Sequence, residues 1–243
     1  MNSPHASRPI VLVTGAAKRV GRAIAKSLAA ADYQVLIHYN GSRLEAEKTA
    51  EECGGAELFQ ADLGSVDAIR GLFQEVRERV GRLDAFVANA ARFTKFNVLD
   101  ITEQDWDFIH DVNLKATFFC CQQAAKLILD TAGKGRIVTI SSGGGIRPWP
   151  EHVHYCAAKA GVIHMTRAMA VALAPQISVN SVAPGVIPFG EENDPPVAAL
   201  IARTPAGRAG LGSEIGEAVL SFLQASRFTT GQVLSVDGGL ALR

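Results

Sequence analysis

The 243-residue chain, with 48% hydrophobic side chains, is long enough for one large α/β domain with a sizeable core. Its 24 basic residues balance 24 acidic ones, so nothing in the charge points to nucleic acid or an anionic membrane. No stretch approaches the roughly 20 uninterrupted apolar residues of a membrane span, and residues 1–9 read as a flexible polar tail without a signal-peptide core.

From residue 10 the pattern alternates. Ile10-Val11-Leu12-Val13 is a short β-branched run that reads as a buried parallel strand. A helical spacing follows through Ile24, Ala25 and Leu28. Val35 to Ile37 is the next strand, and Glu45 to Glu52 a helix stopped by Gly54-Gly55. Leu58 to Ala61 is a third strand, and Val66 to Val80 carries apolar residues at helical spacing. Ala85 to Ala88 is a fourth strand. Thr102 and Asp105 form a capping box that opens a long helix through Trp106, Ile109, Asn113 and Phe118. Arg136 to Ile140 and Ile177 to Val182 are further strands, separated by a helix that carries Tyr155, Lys159 and Leu173. Glu214 to Leu223 is a late helix, and Val233 to Val236 the seventh strand. No repeat or linker divides residues 10–243.

This order predicts a Rossmann-type, doubly wound, parallel seven-stranded sheet in a single domain, with helices on both faces. Ligands bind such sheets outside the carboxyl ends of the strands. Thr14, Asp62, Asn89 and Ser142, each just after a strand, therefore belong on one rim. The four cysteines, Cys53, Cys120, Cys121 and Cys156, make neither a C-x-x-C pair nor a zinc-spaced cluster. They read as reduced thiols of a cytoplasmic protein, and no metal site is expected.

Two stretches carry chemistry. Tyr155 and Lys159 lie four apart on one helix and so share a face. A nearby cation lowers a phenol's pKa, which makes the pair a candidate general acid/base. A solvated surface pair is the alternative. Residues 14–22 join the first strand to its helix, and Gly15 and Gly21 there permit close approach of backbone to a pyrophosphate. Such a turn also keeps glycine for backbone reasons alone. NAD binders place an acid about 20 residues further on, for the ribose hydroxyls. Here the second strand ends His38-Tyr39-Asn40-Gly41-Ser42-Arg43, and the next acid is Glu45. Lys18, Ser42 and Arg43 suit a 2′-phosphate instead, so NADP(H) is preferred over NAD(H).

Laid out in order, these motifs resemble the short-chain dehydrogenase/reductase family over nearly the whole chain. They are Thr14-Gly15 with Gly21, Asp62-Leu63, Asn89-Ala90-Ala91, Asn113, Ser142, Tyr155 with Lys159, Asn180 through Ala183-Pro184-Gly185, and Thr230-Gly231-Gln232 through Asp237-Gly238-Gly239. The resemblance implies that Tyr155 exchanges a proton with a substrate carbonyl oxygen that Ser142 polarises. Lys159 would lower the tyrosine pKa and hold the nicotinamide ribose. Asn113 would hold a water that relays protons, or it is a buried helix-bending amide. Cofactor contacts would come from Gly15, Lys18, Arg19, Val20 and Gly21; from His38, Tyr39, Asn40, Ser42 and Arg43; from Asp62, Leu63, Asn89 and Ala90; and from Pro184, Gly185 and Ile187. A homotetramer or dimer is implied, with the helices that start near Thr102 and Tyr155 paired between subunits.

Arg19 stands where the family has its middle glycine, and Phe189 where it often has a threonine. Residues 14–21, His38-Tyr39, residues 89–93 and residues 204–208 look closer to the pteridine reductase branch. Ser142 is instead the arrangement of ordinary carbonyl reductases, including beta-ketoacyl-carrier-protein reductases. The substrate, a small carbonyl or a pterin, is left open. Phe93, Gly143, Trp149 and Phe189 are candidate substrate contacts. Glycines 143–145 are expected to form a flexible rim, and Glu191 to Pro196 a mobile lid. A dinucleotide-binding redox sensor without turnover is the rival reading.

Overall fold

The computed structural model describes residues 8–243, so most of the expected tail lies outside the described residues. Arg8 and Pro9 are already tied down. The Arg8 guanidinium donates to the Tyr33 carbonyl at 3.1 Å, and the Pro9 carbonyl accepts from the Gln34 N–H at 3.0 Å.

Seven parallel strands form one sheet in the order β3-β2-β1-β4-β5-β6-β7. They are β1 (Ile10–Val13), β2 (Gln34–Tyr39), β3 (Glu57–Gln60), β4 (Ala85–Ala88), β5 (Gly135–Ile140), β6 (Ile177–Pro184) and β7 (Val233–Val236). The chain leaves β1 in one direction, through β2 to β3. It then returns to the other side of β1 with β4, which opens a crevice at the carboxyl ends of β1 and β4. Alternation of side chains across the sheet divides the core in two. Leu12, Leu36, Phe86, Ile137 and Val179 face one layer, with α3 (Val66–Arg79) and α5 (Thr117–Ala132). Val11, Val13, Ile37, Val87, Val138 and Val182 face the other, with α1 (Arg19–Ala30) and α8 (Gly212–Gln224). Each layer removes fully apolar side chains from water, at about 25 cal/mol per Å² buried.

The remaining helices are α2 (Arg43–Glu52), α4 (Glu103–His110), α6 (Val153–Leu173) and α7 (Pro195–Arg203). The capping box at Thr102 forms as expected. The Asp105 N–H donates to Thr102 Oγ1 and the Thr102 N–H to the Asp105 carboxylate. The helix it opens is not uniform, because residues Asp111–Ala116 form a wide π-type turn between α4 and α5. Asn113 lies in that turn. The expected lid is also partly ordered structure. Pro195 and Pro196 begin α7, where a missing N–H costs nothing.

The C-terminal motif is joinery for the edge strand. Asn180 Nδ2 donates to the Thr229 carbonyl and its Oδ1 accepts from the Gln232 N–H. Thr230 Oγ1 accepts from the Val179 N–H. The Asp237 carboxylate accepts from the Gly239 and Ala241 N–H groups. No helix of the described residues is long and apolar enough to cross a membrane. All four cysteines are unpaired; Cys120 and Cys121 are buried, Cys53 and Cys156 half-buried.

Candidate active site

A cavity of about 540 Å³ opens at the carboxyl ends of the strands. Gly15, Lys18, Arg19, Val20 and Gly21 line one side, from the turn between β1 and α1. His38, Tyr39, Asn40 and Ser42 follow from the end of β2, and Asp62 and Leu63 from the end of β3. Asn89, Ala90, Pro184, Gly185 and Ile187 continue the wall, and Ser142, Tyr155, Lys159, Phe93 and Trp149 close the far end. Ala17, Gly41, Ala91, Arg92, Val112, Ile140 and Ser141 also line it. Of these, Ala17, Val112, Ile140 and Ser141 contribute backbone or small apolar surfaces and carry no motif by which the sequence could have marked them.

The turn is built by glycine and clamped by Asn89. Gly15 adopts φ +62°, a left-handed conformation that glycine takes at no cost. A Cβ on Gly21 would lie 2.1 Å from the Gly15 carbonyl oxygen and 2.6 Å from Asn89 Nδ2. That amide donates to the carbonyls of Thr14 and Gly15, while Thr14 Oγ1 accepts from the N–H groups of Asn89 and Ala90. Overpacking of this kind costs about 1–3 kcal/mol and displaces backbone. We therefore expect Gly21→Ala to weaken dinucleotide binding at least about tenfold in a fluorescence titration; unchanged binding would rule out this turn as the phosphate site.

The turn suits an anion. Lys18 caps α1 without a side-chain hydrogen bond, and no acid stands in the first turn. The first N–H groups of a helix have no intrahelical partner, so they are available to a phosphate at the positive end of the helix dipole. Lys18 is exposed and has no ion-pair partner among the described residues.

Several expected contacts fall elsewhere. Arg43 lies outside the cavity, as the first residue of α2, with its guanidinium 2.8 Å from Glu47. Arg19 has a positive φ of 54°, a left-handed conformation in which glycine is the least strained residue. Its guanidinium is paired with Glu191 and lies 5.1 Å over the Phe189 ring. Phe189 is therefore packed beneath Arg19 and does not line the cavity. Glu191 also accepts from the Phe189 N–H at 2.6 Å, and with its Arg19 pair this ties the start of the expected lid to the turn after β1. The Arg19 bond, first, and that N–H hold the Glu191 carboxyl well below the usual carboxylate range.

The glycine rim is packed rather than loose. Gly143–Gly145 form one tight turn, capped by Ser142 Oγ accepting from the Gly144 N–H at 3.1 Å. A Cβ on Gly144 would press to 3.0 Å on the Trp149 indole, and one on Gly145 to 2.8 Å on the Lys159 carbonyl. The glycines thus seat Trp149 and admit α6; Gly143 itself does not line the cavity.

Around Tyr155 the rings are ordered. The Phe93 ring meets Tyr155 edge-on at 4.8 Å and stacks on His152 at 4.5 Å. Trp149 lies parallel to Tyr155 at 6.0 Å. Asn113 is fully buried away from the cavity. Its Nδ2 donates to the Arg92 carbonyl at 2.8 Å and its Oδ1 accepts from the Arg92 N–H at 2.7 Å. Its amide is thus occupied in fixing the segment before Phe93.

Burial pushes Tyr155 up to about 12, against an opposing hydrogen bond with Ser142. The Lys159 Nζ donates to the Ile140 carbonyl at 2.8 Å and lies 5.9 Å from the phenol ring centre. Desolvation brings Lys159 down to about 8.

A parallel doubly wound sheet, an uncapped anion-receiving helix at its switch point and a Ser-Tyr-Lys set at the far end define a dinucleotide-dependent oxidoreductase. The family profile described as Enoyl-(Acyl carrier protein) reductase matches residues 15–241. The chain is 36% identical to 1-cyclohexenylcarbonyl-CoA reductase of Streptomyces collinus, across 100% of this chain and 92% of that protein. It is 37% identical to 3-oxoacyl-[acyl-carrier-protein] reductase FabG of Staphylococcus aureus (strain N315), over 94% of this chain and 96% of that one. Among solved structures, acetoin dehydrogenase YohF from Salmonella typhimurium superposes with a TM-score of 0.87 at 30% identity, covering 97% and 96% of the two chains. Angucycline C-6 ketoreductase LanV, with bound NADP, gives the same TM-score and identity over 97% and 96%. The chain belongs to the short-chain dehydrogenase/reductase family.

Proposed function

We propose that the protein reduces a small carbonyl compound with NADPH, with Tyr155 as the proton donor. The observation that carries this reading is the placement of Ser142, Tyr155 and Lys159 at one end of a single cavity whose other end is an anion-receiving turn. The dinucleotide, when bound, supplies the hydride. Gly15, Val20, Gly21 and Lys18 would hold its phosphates, Asp62 and Leu63 its adenine side, and Pro184, Gly185 and Ile187 its nicotinamide side. Asn40, Gly41 and Ser42 line the cavity where an NAD-selective site would place an acid. With Lys18 beside them they favour the 2′-phosphate of NADP(H). LanV, which carries NADP, agrees with that preference. Ser142 orients the substrate oxygen, and the Tyr155 hydroxyl, protonated across the neutral range by its burial, delivers the proton.

A pterin is the second reading, favoured by Phe93, whose exposed ring beside Tyr155 offers a face to a flat heterocycle. The beta-ketoacyl and cyclohexenylcarbonyl-CoA reductases among the relatives favour a thioester instead. We further propose a cytoplasmic homotetramer, since unpaired thiols persist in a reducing compartment. Its helix partners would cover the exposed Trp106, Phe108, Phe118 and Val171. The deciding experiment is NADPH oxidation, followed by absorbance, with dihydrobiopterin, an acetoacetyl thioester, a diketone and an aromatic aldehyde, each repeated with NADH. Turnover of at least one substrate, faster with NADPH, is expected. Tight NADPH binding with no turnover on any of them would favour the redox-sensor reading.

A further inference from the structure

His38 lines the cavity, yet neither of its ring nitrogens is free to meet a ligand. The residue is 2% exposed on β2. The Gly15 N–H donates to its Nδ1 at 3.1 Å, and its Nε2 lies 3.1 Å from the Ala61 carbonyl. An acceptor at Nδ1 and a carbonyl at Nε2 fix one tautomer, with the proton on Nε2. The His38 carbonyl also accepts from the Ala16 N–H at 3.0 Å. One residue therefore ties the phosphate turn to the end of β3, where Asp62 and Leu63 enter the cavity.

We propose that His38 is a positioning residue that acts through the Gly15 N–H to hold the phosphate turn open for the dinucleotide, and that it does so only as the neutral imidazole. The inference rests on the reading of this cavity as a dinucleotide site. A proton on Nδ1 would set a donor against the Gly15 donor, and the turn would have to move. Lys18 and Arg19 on the turn, Tyr39 on β2 and Asp62 after β3 are the titratable and charged groups on the elements packed against the ring. None of them contributes to its shift; burial brings His38 down to about 4.

Three variants separate positioning from simple core filling. Asn at 38 returns an acceptor near Nδ1, Gln returns a donor near Nε2, and Leu returns neither. NADP+ is titrated by calorimetry from about pH 8 to about pH 5, with the melting temperature followed in parallel. Near pH 8 we expect His38→Leu and His38→Gln to bind at least about tenfold more weakly, since both leave the Gly15 N–H unpaired. His38→Asn should recover most of that loss. Down to about pH 5 the wild-type and His38→Asn affinities should fall together, by the titration of the 2′-phosphate alone, because His38, brought down to about 4, stays neutral there; a steeper fall for wild type would overturn the neutral, buried bridge. Equal affinity in all three variants overturns the proposal, as does a loss in all three that simply tracks the melting temperature. Wild-type protein that binds neither NADP+ nor NAD+ removes the dinucleotide reading itself, a result distinct from any difference among the variants.

Discussion

Tyr155→Phe is expected to lower kcat by about 10²- to 10⁴-fold, the usual worth of a positioned general acid. The Kd for NADPH should stay within about threefold, because a lost general acid affects the chemical step and leaves ground-state binding in place. The separation follows from what the ring touches. Its contacts with Phe93 and Trp149 are made by carbon atoms, so phenylalanine keeps them. The hydroxyl alone is removed, and with it the group held beside Ser142. Tyr155 is pushed up to about 12 by burial, so at neutral pH it starts as the acid. Reduction then needs no prior ionisation, whereas oxidation needs a phenolate. Stopped-flow NADPH oxidation and a parallel binding titration measure the two quantities. An unchanged kcat would move the proton source elsewhere; a collapse of NADPH binding would make Tyr155 a cofactor ligand first.

Much of this was legible in the sequence because its signals are local. The strand-helix alternation depends on periodicity, and all seven strands fall where the apolar runs place them. Thr102 and Asp105 announce their helix three residues apart, and the two hydrogen bonds form. The Tyr155/Lys159 spacing and the glycine turn survive because helix and turn geometry fix them. What the sequence withheld are partners distant along the chain. Arg19 was expected to contact the cofactor, and its pairing with Glu191, 172 positions away, leaves no trace in the local sequence. Asn113 carries the right residue type for a relay, but its amide is occupied by Arg92, 21 positions earlier. Glycines 143–145 read as flexible because a missing side chain is indistinguishable, in sequence, from room made for Trp149 and α6. His38 was legible as a strand end and not as a bridge, since both its partners come from other strands' ends. Spacing likewise puts a lysine near Tyr155, but it does not reveal that the ammonium is turned onto the Ile140 carbonyl.

Lys159→Met is expected to abolish most turnover while making the protein more stable, a combination few other positions allow. The ammonium is 3% exposed and has one hydrogen-bond acceptor, the Ile140 carbonyl. Desolvation brings its pKa from 10.5 down to about 8. Each pKa unit is about 1.4 kcal/mol, so holding the charged form inside costs about 3 kcal/mol. The direction with pH follows from proton counting. The unfolded chain binds the proton up to its normal pKa, the folded chain only up to about 8. Stability should therefore fall as pH drops from 10.5 towards about 8, and the penalty is complete below that. Methionine matches the stem's length and carries no charge. It leaves the Ile140 carbonyl short of a partner, which returns about 1–2 kcal/mol of the gain. A net stabilisation of about 1–2 kcal/mol at neutral pH remains, read by urea denaturation, and the slope between pH 8 and 10.5 should disappear in the variant. The kcat should drop at least about a hundredfold, because the variant removes the buried cation at the Tyr155 end of the cavity. A variant that is inactive and also less stable would mean that Lys159 is retained for packing; one that is active would remove it from the catalytic set.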